Sequence, residues 1–183
     1  MIQQSKSTII GAVQFPVFTG ERVYMRSCTK DLPADLSRWQ PTVDQLLIDR
    51  PADTRIFLTL DQKVVPAGKT HRRPGAHIDG VWCNDAGGYV HKKKHYMGTS
   101  AREQTLVLAS DVEGCVSLEG EYVWGGREFL GGSLSEDEIA GLQRVRMLPM
   151  VGYAGDASAW AHLPLVLPVE TARTLIRINI CEH

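Results

Sequence analysis

The closing segment Arg173-Thr-Leu-Ile-Arg-Ile-Asn-Ile180 has the alternating pattern of a β-strand. Residues two apart on an extended strand point to the same face, so the isoleucines share one face while Arg173 and Arg177 share the other. Two guanidinium groups on an otherwise apolar strand carry a desolvation cost unless they meet carboxylates. The segment therefore predicts a strand with one core face and one anion-binding face.

Similar apolar and β-branched runs recur along the chain, separated by glycine and proline turns. Two short helices are predicted: one over about Thr42–Asp49, and one beginning at Ser135, where a capping box precedes an apolar face that continues through Val145. Many short strands with a few flanking helices favour a mainly β fold of the sandwich, jelly-roll or barrel type. The other predicted strands are Thr8–Val13, Arg55–Leu60, Thr105–Ala109, Val116–Leu118 and Met150–Tyr153.

Length and composition predict a single globular domain. The chain has 183 residues, of which 43% are hydrophobic and 22% charged, and these values exclude a disordered or fibrous protein. No apolar stretch approaches the roughly 18–20 residues of a membrane span, and the N-terminus lacks the apolar region of a signal peptide. The four cysteines form no CxxC pair, so we expect a reducing, cytoplasmic location and no membrane partner.

Charge is unevenly distributed along the chain, although the net charge is only −1. The stretch from Lys63 to Arg102 contains eight Lys or Arg residues against two acids, together with four of the six histidines. A local anion site is one interpretation of this stretch, and a solvated basic loop is the other.

A candidate metal site begins at His77-Ile-Asp79. On a strand these two side chains point to the same side and provide two of the three groups of a 2-His-1-carboxylate iron site. Surface polar residues are the alternative interpretation. His162 lies in an apolar stretch, where it is either a core histidine bonded to a backbone carbonyl or the third ligand.

The order of these residues resembles the Fe(II)/2-oxoglutarate-dependent dioxygenase superfamily. His77-Ile-Asp79 is followed by an 82-residue gap, then by His162, and then by Arg173 or Arg177. The resemblance covers about Arg55 to Ile180. It implies a double-stranded β-helix, a kind of jelly roll, in which residues 54–183 form the core that carries the metal site and residues 1–53 supply supporting elements of the same domain, 1–183.

The resemblance also implies an activity and a set of ligands. Fe(II) would be bound by His77, Asp79 and His162, and the cosubstrate 2-oxoglutarate would place its distal carboxylate on Arg173 or Arg177, with Arg173 preferred. The expected reaction is hydroxylation of a substrate C–H bond. Members of the family often carry a Ser, Thr or Tyr beside the cosubstrate arginine, and the sequence does not identify that residue here.

The substrate is expected to be a small molecule or an anionic compound. Trp82 either walls the pocket or belongs to the core, while Arg73 and the Lys92–Lys94 loop are candidates for contacts with an anion. A nucleic-acid strand is one such anion, but the sequence contains no recognisable nucleic-acid-binding motif. The oligomeric state is left open.

Two further interpretations compete with the oxygenase. Cys83, His91 and His95 have side chains that suit zinc, but the neighbouring Gly87-Gly88 argues against the helix that would bring the histidines together. A cupin fits poorly, because the motif is His-x-Asp rather than His-x-His. The remaining alternative is a metal-free β-domain with a binding role.

Overall fold

Short β-branched runs form strands in the computed structural model of the chain, which describes residues 2–80, 104–125 and 131–181. The strands are β1 (Ile2–Ser5), β2 (Ser7–Ala12), β3 (Arg22–Thr29), β4 (Arg55–Val65), β5 (His77–Ile78), β6 (Gln104–Ser110), β7 (Cys115–Val123), β8 (Gly132–Ser133), β9 (Gln143–Arg146), β10 (Val151–Asp156), β11 (Ala161–Pro164) and β12 (Thr171–Cys181). A 3₁₀ helix at Ala34–Trp39 leads into α1 (Gln40–Leu46), and α2 spans Glu136–Ile139.

The strands form two sheets in which neighbouring strands are antiparallel. The first sheet has the order β1-β7-β11-β5-β8, with β9 also paired to β7, and the second has the order β2-β10-β6-β12-β4-β3. The predicted mainly β fold with few helices is therefore confirmed. The strands contributed by residues 2–53, β1, β2 and β3, each lie at an edge of one of these sheets.

The alternation along β12 separates a core face from a polar face, as the sequence predicts. The isoleucines at positions 176, 178 and 180 are buried in one cluster with residues of the 3₁₀ helix and α1, including Trp39 and Val43. Arg173, Leu175 and Arg177 face the opposite side and line a cavity between the two sheets. A strand with period two can thus pack against helices and line a ligand cavity at the same time.

The helices are shorter than the sequence predicts. The capping box at Ser135 is confirmed, since its side chain accepts from the Glu138 amide and the Glu138 side chain accepts from the Ser135 amide. The predicted continuation of this helix through Val145 is wrong, because α2 ends at Ile139 and Gln143–Arg146 pairs with β7 as β9. Gly141 lies between the two elements, and glycine is a poor residue for continuing a helix.

Among the described residues, none of the helices has both the length and the apolar character needed to cross a bilayer.

Candidate metal centre

Strand pairing brings the two candidate histidines together. β5 and β11 are antiparallel neighbours, and their register places His77 directly opposite His162. The centroids of the two imidazole rings are 4.3 Å apart. Asp79 follows β5 by one residue, and one ligand atom from each of the three side chains lies within 4.8 Å of the others. The structure therefore brings His162 next to His77 and Asp79, which precede it by more than eighty positions in the sequence.

A glycine allows the close approach of another chain segment to the backbone of Asp79. Gly131 has a φ of +60°, and a Cβ at this position would lie 2.5 Å from the carbonyl carbon and oxygen of Asp79. No residue with a Cβ can make that contact without a shift of the backbone, and residues other than glycine seldom adopt that φ. Gly131 thus allows this close packing beside the carboxylate.

The donor set fits a divalent metal ion. All three side chains are buried, and they offer two imidazole nitrogens and a carboxylate oxygen, which is the ligand set of a facial triad with open positions. His77 Nδ1 lies 3.0 Å from the carbonyl oxygen of Gly75. A hydrogen bond of this kind orients the ring and leaves Nε2 available as the ligand atom.

The electrostatic environment favours the protonation states that a metal requires. Burial lowers the pKa of His77 to about 3, with the neighbouring His162 contributing, and burial also lowers the pKa of His162. Burial alone would raise the pKa of Asp79, but the Arg177 guanidinium, followed by the two histidines, holds it well below its usual range. The site therefore offers two neutral imidazoles and one ionised carboxylate, as metal coordination needs.

Arg177 is the ion-pair partner of the candidate carboxylate ligand. Its Nη1 lies 3.1 Å from Asp79 Oδ1, its Nε donates to Asn179 Oδ1 at 3.1 Å, and its Nη2 lies 3.7 Å from the sulfur of Met25. Both Arg177 and Asp79 are buried. This guanidinium is therefore engaged with the metal site itself, which separates its role from that of the second arginine.

Arg173 has a different set of partners. Its side chain is only 2% exposed, its Nε donates to Ser110 Oγ at 2.8 Å, and its Nη1 lies 3.4 Å from the carbonyl oxygen of Gly114. In the described part of the chain, no carboxylate lies within 4.0 Å of this guanidinium. A buried guanidinium that meets only neutral acceptors is suited to receiving an anion from outside the chain.

One cavity contains both features. It lies between the two sheets, with the candidate metal triad, Arg173 and Arg177 in its lining. Its other walls are largely apolar and include Leu108, Met147 and Val151. This mixture of apolar walls with a few polar groups is typical of small-molecule sites.

The remaining candidate residues are placed as follows. Arg73 is exposed and outside the cavity lining, with its Nη2 3.5 Å from the carbonyl oxygen of Ile78, whereas the neighbouring Arg72 does line the cavity. Trp82 lies outside the described residues. The alternative zinc ligands and the basic loop, Cys83, His91, Lys92–Lys94 and His95, lie outside them as well.

Sequence reasoning missed two residues of the cavity. Ser110 reaches Arg173 because β6 pairs with β12, and no local motif marks it. His71 is fully buried in the cavity wall, although its position between a threonine and two arginines predicts an exposed loop. Its contact with Asp61 joins residues on either side of a proline-glycine turn, and no local motif predicts it.

Comparison of the chain with protein-family models, with curated proteins and with solved structures found no match in any of the three.

Proposed function

We propose that the chain is a non-haem Fe(II)/2-oxoglutarate-dependent oxygenase that hydroxylates a C–H bond of an anionic substrate. One observation carries the proposal: a single buried cavity contains a His-Asp-His triad with ligand atoms within 4.8 Å of one another and, separately, a buried arginine without a carboxylate partner among the described residues. The first feature suits a metal ion, and the second suits the far carboxylate of a dicarboxylate.

The two arginines have separate roles in this proposal. Arg173, hydrogen-bonded to Ser110, is the residue that binds the distal carboxylate of 2-oxoglutarate, since a guanidinium offers two parallel donors to a carboxylate. Ser110 then corresponds to the small polar residue that members of the superfamily carry beside this arginine. Arg177 is a positioning residue that holds Asp79 in the orientation required of a metal ligand.

The triad is the part of the site that binds Fe(II). His77, Asp79 and His162 would hold the metal through two imidazole nitrogens and one carboxylate oxygen, a ligand set that would leave positions for the 2-oxo acid and for O₂. The metal and cosubstrate supply oxidising power that the side chains of the protein lack, coupling conversion of C–H to C–OH with conversion of 2-oxoglutarate and O₂ to succinate and CO₂. The apolar cavity walls would limit the access of water to the bound substrate.

The fold and the charge around the cavity are consistent with this proposal. Two antiparallel sheets with the site between them are the arrangement expected of a double-stranded β-helix, the jelly roll that the family resemblance implies. Arg72 in the cavity lining and the nearby Arg73 favour an anionic substrate, because they add positive charge beside the triad.

An anaerobic titration tests the proposal. Purified protein is titrated with Fe(II) and then with 2-oxoglutarate, and the weak visible charge-transfer band of the chelated complex is recorded. We expect the band in the native protein and none in His77→Ala, which lacks one ligand. Arg173→Ala is the informative second variant, because it should retain Fe(II) binding and require much more 2-oxoglutarate.

Two results would refute the proposal. One is the absence of the band in the native protein, with zinc or no metal found by elemental analysis. The other is unimpaired Fe(II) binding in both His77→Ala and His162→Ala, which would show that the triad is not the metal site.

A further inference from the structure

A second buried acid–histidine pair lies at the wall of the same cavity, apart from the metal triad, and its histidine lines the cavity. His71 is only 1% exposed and forms part of the cavity wall. Its Nε2 lies 3.1 Å from Oδ2 of Asp61, a buried residue of β4 that is paired across the sheet with Leu175 of β12. The pair is therefore on the strand face that carries Arg173.

The position of Asp61 favours one tautomer of the neutral His71 ring. Because Nε2 is the nitrogen that lies 3.1 Å from a carboxylate oxygen, hydrogen on Nε2 is favoured, and Nδ1 then holds a lone pair. Both ring nitrogens are buried and lack a hydrogen bond of good geometry among the described residues, so Nδ1 has no partner and Nε2 has only its ion-pair contact with Asp61. A buried nitrogen in this state is a site where a ligand group or a proton can be accommodated.

The surroundings of His71 favour its neutral form. Burial lowers the pKa of His71, and the charges of Arg173 and Lys63 lower it further, whereas the contact with Asp61 raises it. On the far side of Asp61, Arg22 Nε donates to Oδ1 at 3.0 Å and Arg72 Nη1 lies 4.0 Å from Oδ2. Among the described groups named here that act on this ring, Asp61 is the one anion.

We propose that His71 is a second cation of the carboxylate-binding end of the cavity, taking up a proton at Nδ1 when a dicarboxylate binds to Arg173. The incoming carboxylate compensates the charge of the guanidinium and gives Nδ1–H an acceptor. Asp61 holds the opposite edge of the imidazolium. The choice of a dicarboxylate rests on the proposed function, whereas the His71–Asp61–Arg173 arrangement does not.

Calorimetry on the metal-free protein tests this inference. The probe is glutarate, which carries both carboxylates of the cosubstrate but lacks the oxo group that chelates a metal. Titrations in two buffers of different ionisation enthalpy give the number of protons taken up per ligand. For native protein we expect uptake approaching one proton, and therefore an affinity that rises about tenfold per unit as the pH falls through the neutral range.

Two variants, one at His71 and one at Asp61, should abolish the proton uptake on glutarate binding. His71→Gln retains an N–H donor for Asp61 but cannot ionise, and Asp61→Asn retains an acceptor for Nε2–H but cannot stabilise an imidazolium. Both should lose the proton uptake and bind glutarate with an affinity that no longer depends on pH. Fe(II) binding by His71→Gln should equal that of the native protein, which a general loss of structure would not allow.

The possible outcomes separate this inference from the proposed function. Native protein that binds glutarate without proton uptake, or His71→Gln with native uptake, would overturn the inference even if the Fe(II)/2-oxoglutarate band is present. Uptake that disappears in His71→Gln would support the inference even if that band is absent. Native protein that binds neither glutarate nor 2-oxoglutarate would overturn both.

Discussion

Substitution of Gly114 by alanine should displace the guanidinium of Arg173 without disturbing the metal triad. A Cβ at position 114 would lie 2.5 Å from both Cζ and Nη1 of Arg173 and 2.9 Å from Nη2. Nonbonded carbon contacts are about 3.5–4.0 Å, so the guanidinium must retreat by about 1 Å. Because it is the end of a flexible side chain, it can move while the fold is retained.

The expected effect follows from the hydrogen bonds at this guanidinium. A shift of that size breaks the 2.8 Å bond to Ser110 and misplaces the donors for the incoming carboxylate. Charge-assisted hydrogen bonds contribute about 1.5–3 kcal/mol. The dissociation constant of 2-oxoglutarate should therefore rise by about 10- to 150-fold. The assay is calorimetric or spectroscopic titration of the anaerobic Fe(II) protein with 2-oxoglutarate.

The matched control is the same substitution at Gly141, where a Cβ meets no atom within 4 Å. Gly141→Ala should bind both Fe(II) and 2-oxoglutarate as the native protein does. Native affinity for 2-oxoglutarate in Gly114→Ala would refute the assignment of Arg173 as the carboxylate-binding residue.

Three further substitutions test the surroundings of the site. Arg177→Met removes the buried ion-pair partner of Asp79. The free energy of unfolding in urea should fall by about 3–5 kcal/mol in the metal-free protein and by less with a divalent metal bound. An equal fall in both states would contradict the pairing. Gly131→Ala forces a contact with the Asp79 backbone, and we expect it to lower both the melting temperature and the metal content, unlike Gly141→Ala. Trp39→Ala should lower the free energy of unfolding in urea by about 3–5 kcal/mol, because the side chain is fully buried. The metal content per folded molecule should equal that of the native protein.

Much of the fold could be predicted because strands have a strong local signature. Each of the six predicted strand segments overlaps a strand of the structure, and the alternation along β12 assigns its arginines and isoleucines to opposite faces. The helix at Ser135 shows the limit of local reasoning. Its cap is correct, but its apolar pattern continues into residues that pair with β7, and the sequence alone does not reveal that pairing.

The site could be predicted only where its residues are close in sequence. His77 and Asp79 lie two apart, so their common side follows from strand geometry. The juxtaposition of His77 with His162 depends on the register of β5 against β11, and that of Ser110 with Arg173 on the pairing of β6 with β12. The division of roles between the two arginines also needs the structure, since both share one face of one strand.

The ion pair between Arg177 and Asp79 has a consequence for how the protein is assembled. Because the carboxylate already has a positive partner, the interior does not hold an uncompensated negative charge before a metal arrives. On the proposed function, we therefore expect a newly made chain to finish folding first and to acquire its metal afterwards. Folding and metal loading would then be separate events, and we expect that the metal can be removed and replaced without unfolding the protein.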